Sequence, residues 1–188
     1  KFGVPVIVAL NRFLSDSKEE QDAVIEAAKT WGARAALSDV WAKGGEGGVA
    51  VGNEVLAALA EGKAHFKPIY DAALPIKQKI ETIATQIYGA DGVTFSAAAE
   101  KSIAQCEEMG LGATPVCVAK TQYSFSDDPA KLGRPSGFRI TIRDVYASAG
   151  AGFVVALAGD IMTMPGLGKT PAAEQIRIFP DGRIEGLF

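Results

Sequence analysis

The chain has 188 residues, is 48% hydrophobic and carries a formal net charge of -3. That length suffices for one substantial core or two small ones, and a slightly acidic chain without a Lys/Arg run gives no electrostatic reason to expect nucleic acid or an anionic membrane as partner. The longest apolar stretch, residues 152–159, is far below the ~20 residues of a membrane helix; with no secretory signal visible and Lys1 rather than Met at the start, a soluble, cytoplasmic, excised piece of a longer protein is expected.

Residues 4–10 read as a first strand, with Phe13 just past its end. Ser17-Lys18-Glu19-Glu20 has the form of a capping box, in which the serine oxygen and the glutamate side chain satisfy free backbone N–H groups, so a helix is expected from about residue 17 to Trp31. Val24, Ala28 and Trp31 lie one turn apart, which assigns Trp31 to the core, and Gly32 stops the helix. A short strand over 34–38, a glycine-rich segment carrying Trp41 and a helix over about 49–59 complete a βαβα unit of the kind that builds parallel sheets. Beyond Pro68 and Pro75, Ile76, Ile80, Ile83, Ala84 and Ile87 form a stripe at helical spacing. A further helix over 97–109 has Ser96 as N-cap and Gly110 as its end.

The pattern then changes. Residues 115–119 look like a buried strand, 138–143 alternate apolar and charged as a half-exposed strand does, and 152–159 are apolar throughout, as in an interior strand. Pro180-Asp181-Gly182 supplies turn chemistry for a terminal hairpin. The expected fold is α/β: a parallel βαβα unit in residues 1–110, followed by a strand-rich α+β region in 111–188. Long polar loops at 121–135 and 162–171 are of the size that often carries function. Cys106, on a helix face, and Cys117, in the buried strand, are read as reduced thiols rather than a bridge.

Phe13 and Trp41 carry the clearest chemical signal. Large flat side chains beyond the ends of adjacent strands in an open α/β sheet stand where a planar ligand would lie, although aromatics also serve simply as packing. Asn11 and Arg12, polar where the strand leaves the core, favour the ligand reading. Gly44, Gly45, Gly47 and Gly48 let backbone approach a ligand, or form a flexible connection; they do not fit the dinucleotide fingerprint. Lys43 and Glu46 are either a solvated pair or a charge contact for substrate. Gly166-Leu167-Gly168-Lys169-Thr170 ends like a phosphate loop, but Thr163 stands where the first glycine belongs and Pro171 follows at once. His65 is the sole histidine, so neither a histidine triad nor a histidine-rich metal site can be built. Asp127-Asp128 before Pro129 reads as a solvated turn rather than a cation site.

Residues 40–48 (VWAKGGEGG), 119–129 (AKTQYSFSDDP), 133–138 (GRPSGF), 148–153 (SAGAGF) and 160–167 (DIMTMPGL) together resemble the C-terminal third of formate–tetrahydrofolate ligase, also called 10-formyltetrahydrofolate synthetase. The resemblance runs from Lys1 to Phe188; Gly168 replaces the second proline of the usual Pro-Gly-Leu-Pro-Lys ending. It implies ATP-dependent activation of formate, with Mg, to formyl phosphate, and attack by N10 of tetrahydrofolate. Both are substrates of the full-length enzyme, and no tightly bound cofactor or metal is implied in this chain. The pterin would stack between Phe13 and Trp41, with Leu37 near formyl phosphate and Asn11, Arg12, Lys43, Gly44 and Gly45 as candidate loop contacts. Lys120, Arg134, Ser136, Gly137 and Phe138 are candidates for the nucleotide side, or a plain strand-entry turn.

The resemblance also places the family's phosphate loop in an N-terminal portion outside this chain. No catalytic residue is therefore expected here, and the piece alone is expected to be inactive. A homotetramer and partnership with the missing N-terminal portion are implied. The alternatives are a non-catalytic binding or assembly module of a split ligase, and a structural remnant with an empty crevice.

Overall fold

A computed structural model describes residues 1–161 and 169–186 and has a mixed α/β architecture. The chain divides into two compact units, Lys1–Asp71 and Ala72–Phe188. The change of pattern near residue 110 falls inside the second unit, because the helices before it and the strands after it share one core. Most of the 162–171 loop, including Gly166, Leu167 and Gly168, lies outside the described residues.

In the first unit, strand β1 (Ile7–Asn11) and strand β2 (Arg34–Ser38) run parallel, with Ile7 opposite Arg34 and Asn11 opposite Ser38. Helix α1 (Lys18–Thr30) joins them. Its start is the capping box read from the sequence: Glu20 N donates to Ser17 Oγ at 3.2 Å, and Ser17 N donates to Glu20 Oε2 at 2.9 Å. Gly32, at φ +74°, turns the chain out of the helix in a conformation costly to other residues.

Trp31 is not core. It is the C-cap and is 85% exposed, and Ala28 is the buried member of the stripe. The helical period breaks off at Thr30, and at Trp31 the backbone has already left the helix. After β2 come a short helix α2 (Val40–Lys43), a tight helical turn over Gly44–Gly48 and helix α3 (Val49–Ala60). Arg34 of β2 pairs with Glu54 of α3 at 2.8 Å and also with Glu61 just beyond it, fixing that helix to the strand.

The second unit has helix α4 (Ile76–Ile83), a wider turn Ala84–Tyr88, strand β3 (Val93–Phe95), helix α5 (Ala97–Glu108), and strands β4 (Val116–Ala119), β5 (Ile140–Ser148) and β6 (Phe153–Ala158). The sheet order is β3-β5-β6-β4, with β3 parallel to β5, β5 antiparallel to β6, and β6 parallel to β4. Ser96 caps α5 as expected, its Oγ accepting from Ala99 N at 3.0 Å. Ile76, Ile80 and Ala84 with Ala99, Ile103 and Cys106 pack on Ile140, Ile142, Val154 and Ala156. Each fully buried isoleucine contributes roughly 2 kcal/mol of hydrophobic transfer.

β6 is the interior strand its unbroken apolar run indicated, and β5 alternates buried and exposed residues. β4, expected to be buried, is an edge strand with β6 as its neighbour; Val116 and Val118 pack against the core and Cys117, on the opposite face, is exposed, whereas Cys106 is buried, and both thiols are free. β3 has no sequence signal because, at three residues, it is too short to show alternation. A hairpin of β7 (Arg177–Ile178) and β8 (Ile184–Glu185) brackets the Pro180–Gly182 turn.

Lys79 is fully buried, yet satisfied: its Nζ donates to the carbonyls of Gly112 at 2.6 Å and Thr114 at 2.9 Å. Among the described residues no helix is long and apolar enough to cross a membrane.

Candidate functional site

The parallel pairing of β1 and β2 brings their C-terminal ends side by side, and two loops leave from there. In the first, Asp16 builds a small turn around Phe13. Phe13 N donates to Asp16 Oδ2 at 2.8 Å, and Asp16 N donates back to Phe13 O at 3.2 Å. An aspartate that hydrogen-bonds local backbone in this way favours a turn over continued strand. The ring is left 65% exposed.

In the second loop, α2 presents Trp41, 57% exposed. Its indole Nε1 donates to the carbonyl oxygen of Arg12 at 2.8 Å, so the two loops are joined through the tryptophan. Phe13 and Trp41 line one open, mostly apolar cleft of about 470 Å³ together with Asn11, Leu14 and Ser15. A second recess of about 320 Å³ lies against Phe13, lined also by Leu10, Asn11, Asp16, Glu20 and Gln21. Asn11 thus borders both spaces. Concave apolar surface with a few polar groups at its margin suits a flat heterocycle.

Of the other expected loop residues, Arg12, Lys43, Gly44 and Gly45 are not among those lining this cleft. Arg12 Nε lies 2.8 Å from Asp39 Oδ1, and Lys43 Nζ lies 3.1 Å from Asp39 Oδ2, so both cations share one carboxylate. Gly44 and Gly45 are exposed, with open space around them. Leu37, opposite Leu10 near the strand ends, is partly buried and is not among the residues lining the cleft.

Sequence reasoning missed Asp16 and Asp39. Both follow a strand closely, and an acidic residue there is an ordinary turn signal. The glycine run also has a packing role. A Cβ on Gly47 would sit 2.4 Å from the backbone carbon and oxygen of Asp39, so the glycine is needed for the backbone to pack on itself.

The second unit holds a separate cleft of about 470 Å³ bordered by Tyr88, Lys120, Tyr123, Phe125 and Gly133, among others. Lys120 Nζ sits 4.9 Å from the Tyr88 ring centroid, within cation–π range. It also donates to the carbonyls of Thr121, at 3.0 Å, and Ser124. Desolvation pulls the Lys120 pKa down, opposed by the charge of Asp127, and burial pushes that of Tyr88 up.

The 121–135 loop is held from within. Ser124 and Ser126, both buried, join hydroxyl to hydroxyl at 3.0 Å, and Ser126 Oγ donates to Asp128 O at 3.0 Å. Asp127 Oδ2 accepts from Thr141 N of β5 at 2.7 Å, and Asp128 Oδ1 from Ala130 N at 2.9 Å, so one carboxylate ties the loop to the strand and the other serves its own turn. Arg134, Ser136 and Gly137 are exposed further along the loop, whereas Phe138 is 4% exposed and belongs to the core. Its ring packs among the strands and offers no face to a base, which corrects its place among the nucleotide-side candidates. No group of three metal-ligating side chains occurs among the described residues.

A paired phenylalanine and tryptophan at the strand ends, the long serine-built loop and the interior strand all lie within a single family match. The family model described as Formate--tetrahydrofolate ligase covers residues 1–188. That family consists of ligases of one-carbon metabolism whose substrates include ATP and tetrahydrofolate. The match spans the whole sequence, and the chain therefore belongs to the formate–tetrahydrofolate ligase family.

Proposed function

We propose that this chain is the C-terminal, folate-binding portion of an ATP-dependent ligase that makes 10-formyltetrahydrofolate from formate and tetrahydrofolate through formyl phosphate. The observation that carries this reading is the shared cleft of Phe13 and Trp41, two exposed rings at the ends of adjacent parallel strands. The reduced pteridine lies against these rings, which supply contact area and orientation and undergo no chemistry themselves.

In the first step a formate oxygen attacks the γ-phosphorus of ATP and ADP leaves; Mg bound with the nucleotide would offset the phosphate charge. In the second, N10 of tetrahydrofolate forms a bond to the formyl carbon, the carbon–oxygen bond to phosphate breaks, and N10 loses its proton. Phosphorylation turns a carboxylate, which repels nucleophiles, into an acyl group with a good leaving group. What remains for protein is positioning and charge stabilisation. Leu37, beside the end of β2, borders the formyl phosphate, and Asn11, at the margin of both recesses, faces the polar edge of the pteridine.

The phosphate-handling residues belong to a further N-terminal portion of the protein, so this chain binds folate but does not turn over alone. On the nucleotide side, Lys120, Arg134, Ser136 and Gly137 are joined by Tyr88 and Phe125, whose rings flank the second cleft. The protein acts in the cytoplasm as a homotetramer.

Calorimetric titration with tetrahydrofolate tests the reading. Saturable binding that is lost in Phe13→Ala and Trp41→Ala supports it. Binding indifferent to both changes overturns it.

A further inference from the structure

We propose that Asp39 is a positioning residue that fixes the plane of the Trp41 indole before ligand arrives; its purpose rests on the folate reading, but its geometry does not. Asp39 is the first residue after β2, and its side chain is only 13% exposed. One carboxylate oxygen faces Arg12 Nε at 2.8 Å and the other faces Lys43 Nζ at 3.1 Å. Its backbone is equally engaged: Asp39 N donates to Gly47 O at 3.0 Å, and its carbonyl accepts from Ala42 N at 3.0 Å and Lys43 N at 2.9 Å. One residue therefore touches the end of β1, the helical turn that carries Trp41, and the glycine turn behind it.

These contacts close a ring. Arg12 N donates to Ser38 O at 3.2 Å, which extends the strand pairing one residue beyond Asn11 and sets the Arg12 backbone. Asp39 Oδ1 pairs by charge with the guanidinium of the same residue without accepting a hydrogen bond from it, and the Arg12 carbonyl receives the indole N–H at 2.8 Å. The indole is anchored through Arg12 at its nitrogen and through the Asp39-capped turn at its backbone. The lack of room at Gly47, where a Cβ would be 2.4 Å from Asp39 backbone, shows how closely that turn is packed.

An isolated exposed ion pair contributes little. Here the carboxylate is largely covered while Arg12 is 37% exposed, and the value of the pair lies in what it immobilises. A ring that must be ordered when a ligand stacks on it weakens binding, and a ring held in advance does not.

The test uses the 188-residue chain with Trp31→Phe, which leaves Trp41 as the sole indole because the sequence has two tryptophans. Time-resolved fluorescence anisotropy reports how far the indole rocks on the nanosecond scale. Asp39→Asn and Arg12→Gln are each expected to enlarge the fast depolarising component while the far-UV spectrum stays that of the parent. Should Asp39→Asn not fold, Arg12→Gln, changed at the more exposed partner, decides alone. An indole as immobile in the folded variants as in the parent overturns the proposal.

Tetrahydrofolate titration of the same proteins is expected to show several-fold to about tenfold weaker binding in the variants. A parent that binds folate no more tightly than its loosened variants also overturns the positioning role. A parent without saturable folate binding defeats the folate reading instead, and the anisotropy then still decides whether Asp39 holds the indole.

Discussion

The Trp41 indole nitrogen and the Arg12 carbonyl, 2.8 Å apart, join the loops that leave β1 and β2. Phe13 is the next residue along, so the same contact fixes the spacing between the two aromatic walls of the cleft. Removing either wall is expected to weaken tetrahydrofolate binding about tenfold or more, on the scale of roughly 1–3 kcal/mol found when an aromatic platform under a stacked heterocycle is truncated. Trp41→Phe keeps a flat ring but loses the donor to Arg12, and is expected to lie between Trp41→Ala and the parent. Calorimetry on the three variants checks the order.

The glycines of the 44–48 turn are expected to divide by position. Gly47→Ala brings a methyl group within 2.4 Å of Asp39 backbone, which cannot yield as a side-chain tip would. A loss of about 2 kcal/mol is expected, of the size seen on overpacking. Gly45→Ala meets nothing within 4 Å and is expected to be near neutral. Urea unfolding of both variants measures the contrast.

Lys79→Met tests the buried ammonium between α4 and the segment before β4. Its removal leaves the Gly112 and Thr114 carbonyls without the donor that now lies 2.6 and 2.9 Å away. Buried acceptors left unpaired cost about 1–3 kcal/mol each, so a loss of about 2 kcal/mol or more in unfolding free energy is expected despite the more apolar side chain.

The two thiols are expected to behave differently. Cys117 reacts with an aromatic disulfide reagent in the native protein, while Cys106 reacts after unfolding. Burial, helped by the charges of Asp144 and Glu107, pushes the Cys106 thiol up from its ordinary 9.0. The folded state therefore holds a proton that the unfolded chain gives up, so the contribution is complete below pH 9 and is lost as pH rises beyond it. Tyr88, raised by burial from 10.0, acts in the same direction at higher pH. Cys106→Ala is expected to lessen the fall of the unfolding midpoint with pH above about 9.

Much of this was legible in the sequence because the signals are local. Ser17 and Glu20 specify a cap by their spacing, the alternation over 138–143 marks the first part of β5 (Ile140–Ser148) but not its extension to Ser148, and the unbroken apolar run marks β6. Phe13 and Trp41 were legible as a pair because each follows a strand, and parallel strands bring like ends together. What depends on neighbours was not legible. Whether Cys117 is covered depends on what packs against the face of β4 opposite Val116 and Val118, and whether Phe138 packs or protrudes depends on where β5 enters the core. The fit of Gly47 against Asp39, and the use of one carboxylate for Arg12 and Lys43, arise only when two loops meet. Trp31 failed for a simpler reason: a period says nothing about where a helix stops.

A crystal structure of the chain with tetrahydrofolate bound is the most direct test of the Phe13–Trp41 cleft as the folate site. The expected result is a pteridine ring system lying between the two side chains, with the Trp41 indole still donating to the Arg12 carbonyl. A folate bound elsewhere, with both rings facing solvent, would contradict it.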